Sequence, residues 1–436
     1  MTGQDQKLDE RSNFEMDYAT PGECPAWESG DERPSNTSGN PTFYDVVAAR
    51  STRRGFLVGG LATIATGLFG GSCLTRAALA ATTAPSALLG FNPVPVSTDD
   101  TVVVPAGYRV QYFIPHGTPL DGGEGSGEAL LDATADAQAL MIGAHHDGMH
   151  YFPIDGSSTD GLLVLNHEYV DPRFMHAAYA GQAVDNDAIV LTDGHRPSEE
   201  VRKELHAHGV SVVRVAREGT GSWKVVADPR NRRVHGLTEI ALAGPVRGSS
   251  HVVTAYSPDG TRTRGTLNNC AHGATPWNTY MAAEENWAGY FVSRGDQPRE
   301  HDRYGVPDDQ GRYGWELAEG GADDYIRFDA TARADSPEGD YRNEPNTYGW
   351  MVEIDPFDPA STPVKRTALG RFAHEGIVFA PVVEGRPIVC YSGDDARFEY
   401  IYKFVSARPY EAATADGTLL DDGTLYVARF NEDGTG

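Results

Sequence analysis

The chain has 436 residues, 36 of them basic and 62 acidic, for a net charge of -26. A surface this acidic repels nucleic acid and anionic lipid, which excludes a polyanion-binding protein. It also repels a free phosphate ester unless bound cations reverse the local field, and the length allows one large domain or two or three smaller ones.

Residues 1–50 are polar, with runs such as Gly30-Asp31-Glu32-Arg33-Pro34-Ser35-Asn36, and read as a disordered extension. Residues 51–80 follow a different pattern. Arg53-Arg54 precedes an apolar stretch through Leu68-Phe69, and Ala78-Leu79-Ala80 supplies a small-x-small cleavage site. This predicts a Tat export signal, with the Tat translocon as a partner and a periplasmic or extracellular destination. The apolar run is diluted with Gly and Thr and interrupted by Arg76. It falls short of the roughly 20 residues of a spanning helix, so no stable membrane anchor is expected. The mature chain keeps Cys270 and Cys390 in an oxidising compartment, so a disulfide between them competes with any metal-ligand reading of Cys270.

Residues 81–436 read as a single β domain. Short apolar runs recur at Thr101–Val104, Tyr108–Ile114, Gly161–Leu165, Val210–Val215, Lys224–Val226, Val252–Tyr256, Tyr348–Ile354, Ile377–Phe379, Pro387–Tyr391, Tyr400–Phe404 and Leu425–Phe430. Turns rich in Gly, Pro, Asp and Asn separate them, among them Ser257-Pro258-Asp259-Gly260 and Asp421-Asp422-Gly423. One helix is expected over Ser198–Ala207, opened by Pro197-Ser198 and closed by Gly209. Many short strands without βαβ alternation predict an all-β fold, and a β-propeller is a common way to build one this large, although no WD-type repeat is present.

Candidate ligands sit at the strand ends. The stretch Asn268–Trp287 brings Cys270 and His272 beside Gly273 and ends on Glu284-Glu285. Adjacent carboxylates repel each other unless a cation lies between them or one is protonated. Glu168 follows the run Leu162–Leu165, Glu375 precedes another, and Asp394, Asp395 and Glu399 follow Pro387–Tyr391. Acids placed repeatedly at strand ends can converge on one mouth, where carboxylates suit Ca2+ and a thiolate suits iron or zinc. Arg397 or Lys403 could clamp an anionic substrate. His167 and His374 read as supports for neighbouring groups, His145-His146 as structural, and Trp277, Trp287, Tyr400 and Tyr402 as core or pocket wall.

Taken in order, several segments resemble the PhoX family of bacterial alkaline phosphatases. They are Leu165-Asn166-His167-Glu168-Tyr169, His208-Gly209-Val210-Ser211-Val212, Asn231-Arg232-Arg233 and Asn269-Cys270-Ala271-His272-Gly273-Ala274-Thr275-Pro276-Trp277. Further along come Glu284-Glu285-Asn286, Gly349–Pro356, His374-Glu375-Gly376 and Gly393–Phe404. The resemblance implies a Tat-exported monomer, a β-propeller of six blades, that hydrolyses phosphate monoesters with a cluster of Fe3+ and Ca2+. Carried over residue by residue, it implies Cys270 and Glu285 as iron-side ligands, with Glu284 beside them. Glu168, Glu375, Asp394, Asp395 and Glu399 become further carboxylate ligands, and Arg397 the phosphate clamp. The expected nucleophile is a metal-bound oxo or hydroxide, because no Ser or Thr in these motifs has a neighbouring base.

His272 and Asn278 depart from the family pattern. The chain ends at Gly436 where the family continues, so a C-terminally incomplete propeller is expected. Two other readings fit the same residues: a Ca2+-dependent propeller hydrolase such as a lactonase, and a non-catalytic calcium-binding module.

Overall fold

Tyr280-Met281-Ala282-Ala283 is apolar without alternation, and its environment explains why. It forms a strand buried on both faces, so both sets of alternating side chains must be apolar. Tyr280 and Ala282 face one core with Phe152, Leu162, Val164, Val210 and Val212. Met281 and Ala283 face another with Ile377, Cys390 and Phe404.

This computed structural model describes residues 91–123, 127–179, 191, 193–219 and 221–431. The expected extension 1–50 and export signal 51–80 lie outside the described residues. The described residues form two compact units, one over 114–428 and one comprising 91–113 with 429–431. In the smaller unit a turn closes between Pro105 and Tyr108, and Tyr108 packs edge-on against Phe91.

The larger unit is mostly β. Its first sheet contains β1 (His146–Pro153), β2 (Asp160–His167), β3 (Gly209–Arg217), β4 (Trp223–Val226) and β5 (Arg232–Val234). The order is β1-β2-β3-β4, with β5 also on β3, and all pairs are antiparallel. The second sheet contains β6 (Glu239–Ala243), β7 (Arg262–Arg264), β8 (Asn269–Ala274), β9 (Tyr280–Glu284), β10 (Met351–Ile354) and β11 (Val364–Arg366). Its order is β7-β6-β11-β10-β9-β8, and the β11–β6 pair is parallel. The third sheet is a meander of β12 (Val378–Phe379), β13 (Pro387–Gly393), β14 (Ile401–Pro409) and β15 (Gly423–Val427).

Helices α1 (Gly127–Asp132) and α2 (Ala135–Gln138) are short, and α3 (Ser198–Ala207) occupies the expected span. Val201, Leu205 and Ala207 of α3 pack into an aromatic core with Trp287, Tyr290, Trp315 and Phe328. Glu204 of α3 is buried there and accepts from Arg196, His176 and the Trp315 indole, so its charge is matched. Three expected strands are absent. Thr101–Val104 and Tyr108–Ile114 carry no ladder, and Val252–Tyr256 is a 3-10 turn followed by a Thr254–Ser257 turn. Their apolar residues suit a strand, but a strand exists only where a partner offers its ladder. Among the described residues no helix is long and apolar enough to cross a membrane.

Candidate metal centre

Two of the sheets end on the same dipeptide, and the two members do opposite jobs. His167 ends β2 and is buried, while Glu168 is half-buried at the edge of the cluster. His167 Nε2 accepts from the Gly143 amide and faces Ser211 Oγ at 2.7 Å, and Nδ1 donates to the Ala144 carbonyl. Burial holds this imidazole neutral, well below its ordinary range. His374-Glu375 repeats the arrangement before β12. His374 Nε2 donates to Gly370 O, Nδ1 lies 2.9 Å from Ser392 Oγ, and burial lowers its pKa to about 4. Successive extended residues point to opposite sides, so anchoring the first aims the second.

Glu284-Glu285 obeys the same parity. Glu284 is fully buried and receives Lys365 Nζ at 2.7 Å and the amides of Gly349 and Trp350 at 3.0 and 3.1 Å. Its neighbour's charge is therefore no concern of Glu284, whose countercharge is Lys365. The structure does not bring Glu284 into the cluster expected for it. Glu285 points the other way, is held by Asn286 Nδ2 at 3.0 Å, and bonds the Asp395 carboxyl.

The Cys270 thiol is the meeting point. Its Sγ lies 3.2 Å from Asp147 Oδ2 and 3.7 Å from Glu375 Oε1. Asp147, Glu168 and Cys270 each place one donor atom within 4.8 Å of the others, and so do Cys270, Glu285 and Glu375. Two candidate ion positions thus share one sulfur. Cys270 and Cys390 are both free thiols, the second buried between the second and third sheets, and no disulfide joins them.

The electrostatics are those of a site built for cations. Burial, then Asp147, raises Glu168 to about 7. Burial, then Asp395 and Glu375, raises Glu285 to about 10. Burial and the Glu285 charge push the Cys270 thiol far up. Without positive ions these groups must hold protons, because so many like charges cannot ionise together in a partly buried space. Carboxylate oxygens with a single sulfur fit hard cations together with one softer transition metal.

A second acidic pair lies in the β13–β14 loop. Burial, then Glu399, raises Asp394 to about 7, and Glu399 receives Arg303 at 2.7 Å. Neither belongs to the two groups around Cys270. Arg397 sits in this loop, partly buried, beside Phe398 at φ +62°.

Backbone contacts hold the cluster together. Asn166 on β2 donates to the carbonyls of Cys270 and Ala271 at 2.6 and 3.0 Å and accepts from Tyr280 OH at 2.9 Å. A Cβ at Gly148 would lie 2.8 Å from Cys270 O, and one at Gly273 would lie 2.3 Å from Ile377 O. Gly273 therefore serves close strand approach and not local freedom. Asp147 was not among the expected ligands. The signal for it was an acid next to Gly148 at the start of a strand, in the chemistry-rich run Ala144-His145-His146-Asp147-Gly148, of which only the two histidines were read as structural. The rest of that segment is packing: His145 stacks on Tyr169 at 3.7 Å. Arg312, over the rings of Tyr169, Tyr290 and Tyr313, is a further cation near Glu168.

Comparison with known proteins gives a consistent result. The family model described as alkaline phosphatase PhoX matches residues 89–436. No curated protein matches significantly. A solved structure of Pseudomonas fluorescens PhoX, in complex with vanadate as a transition-state analogue, is similar at 38% identity with a TM-score of 0.68. The similarity covers 79% of this chain and 55% of that one, so this chain spans little more than half the length of its relative.

Proposed function

The chain belongs to the PhoX alkaline phosphatase family, and from that premise we propose that it is a metal-dependent hydrolase of phosphate monoesters. The observation that carries this reading is the Cys270 sulfur shared between Asp147 with Glu168 and Glu285 with Glu375. One thiol among carboxylates supports Fe3+ at the sulfur and Ca2+ at the outer oxygens, with Asp395, Asp394 and Glu399 as nearby carboxylates. The three sheets are read as consecutive blades of a propeller whose inner strand ends form the mouth. Tat export, a periplasmic or extracellular location and a monomeric state complete the proposal.

When bound, the cations neutralise the phosphoryl oxygens and stabilise the charge that builds on them during displacement. The protein's own part is to aim the ligands. His167 and His374 stay neutral and lock Glu168 and Glu375 from behind, and Asn166 holds the Cys270 backbone. Arg397 is assigned to the ester's non-bridging oxygens, where a planar guanidinium matches two oxygens at once.

The test combines elemental analysis of the purified chain with phosphate release from an aromatic phosphate ester and a lactone assay in parallel. Iron and calcium with phosphate release are expected. Lactone hydrolysis without phosphate release would establish the rival hydrolase, and bound calcium with neither activity would establish a binding module.

A further inference from the structure

Beyond the Asp147–Cys270 contact, the edge strands β1 and β8 remain side by side, with Gly148 against the backbone of Cys270, Ala271 and His272. The next side chains to face each other are His150 on β1 and His272 on β8. Their ring centres are 5.7 Å apart and their planes are inclined at 55°. An aromatic wall backs each imidazole: Phe152 lies 4.7 Å from His150, and Tyr280 is stacked 5.3 Å from His272 at 9°. Phe152 and Tyr280 are core residues, so the walls are fixed.

The ring nitrogens distinguish this pair from most of the inner histidines. Among the described residues only this pair brings two such rings face to face, since His301, whose nitrogens are also unbonded, is buried alone. His167, His176, His208 and His374 each spend ring nitrogens on hydrogen bonds. His150 and His272 are half-buried, and among the described residues none of their four ring nitrogens has a hydrogen-bond partner. Two braced imidazoles with uncommitted nitrogens are a preorganised chelate, since little rotamer freedom remains to be lost.

The spacing suits one shared ion. A zinc-class metal sits about 2.1 Å from an imidazole nitrogen, hence about 3.2 Å from the ring centre. Two rings on one ion then have centres about 5.2 Å apart at a tetrahedral angle and about 6.4 Å apart when opposed. The observed 5.7 Å lies between these limits.

We propose that His150 and His272 form a two-imidazole site for a borderline divalent metal, Zn2+ or Cu2+, next to the thiol–carboxylate cluster but separate from it. Nitrogen donors suit these ions and not Ca2+, so the two sites sort metals by ligand type. Water completes the coordination. The assignment stands on the imidazole geometry and is independent of the phosphatase reading.

Cu2+ is the probe. The full chain, with its native metals retained, is titrated with Cu2+ and followed by electron paramagnetic resonance. One equivalent coupled to two nitrogens and displaced by Zn2+ is expected. Copper on Cys270 would be separately visible through sulfur charge-transfer absorption. H150A and H272A should each weaken that equivalent at least tenfold, with circular dichroism and native metal content unchanged. H150Q and H272Q replace either alanine variant that fails to fold. Absence of two-nitrogen copper in the wild-type protein, or its survival in both variants, overturns the proposal.

Discussion

The Cys270 thiol lies 3.2 Å from the Asp147 carboxylate, although 123 residues separate them in the chain. The contact joins the edge strand of the first sheet to the edge strand of the second, and Gly148 makes the approach possible. If it marks one ion position, D147N should lose metal as well as activity. The expected result is about one equivalent less metal per chain and a fall of roughly 100-fold or more in phosphate release. Full metal content in D147N, measured by elemental analysis, would remove Asp147 from the ligand set.

Glu284 and Glu285 should separate cleanly in experiment. E285Q is expected to abolish turnover and reduce bound metal. E284Q should leave metal content intact but destabilise the fold, because Lys365 is then buried without its partner. Removing one member of such a pair costs about 3–5 kcal/mol. K365M should be equally destabilised, and the double variant K365M/E284Q should recover most of the loss. Chemical denaturation of the three proteins checks the sign of that coupling.

Ser211 supports Glu168 only through His167. S211A should therefore weaken metal binding about 10- to 100-fold without touching a ligand, and cost about 0.5–1.5 kcal/mol for the lost hydrogen bond, since the Gly143 amide and the Ala144 carbonyl still hold the ring. Metal-dependent thermal shifts of S211A, with S392A as the counterpart beside His374, test both parts. If metal affinity is unchanged in both variants, the histidines are packing elements only.

Acid should destabilise the metal-free protein through its buried imidazoles. Burial lowers His208 to about 3 and His374 to about 4, both far below 6.5. A depressed histidine pKa favours the fold while the ring stays neutral. That contribution is complete above about pH 6.5 and is lost as pH falls toward 4 and 3. His208 donates from Nδ1 to the Glu204 carbonyl and accepts from Tyr290 OH, so a second proton has no acceptor there. Melting temperature in chelator sums this loss with an opposite gain from Glu168 and Asp394, whose carboxyls, raised to about 7, take up protons in the fold as pH falls. The imidazole share is therefore read as the stability difference between the wild-type protein and H374Q, which should shrink from pH 6.5 to pH 4. A constant difference would mean that the imidazole is solvated.

Strand content was legible wherever a run was flanked by turns and met a partner: Gly161–Leu165, Val210–Val215 and Pro387–Tyr391 all lie in sheets. The runs at Thr101–Val104 and Val252–Tyr256 have the same composition but no partner strand, and composition cannot supply one. Among the acids at strand ends, Glu168, Glu285 and Glu375 were legible as neighbours of Cys270, whereas Asp394 and Glu399 stand outside both groups around it. That Glu284 faces away from the cluster was not legible, because side-chain parity depends on register.

Local chemistry along the chain was sufficient for the turns, for helix α3, for the acidic surface and for the thiol and carboxylates that could gather around cations. These follow from short-range sterics and from charge, which each segment carries with it. The partnership of Cys270 with Asp147, the retirement of Glu284 to Lys365 and the facing of His150 with His272 came only from the fold. Each joins residues on different strands, and their proximity is set by how sheets pack, a property no single segment possesses.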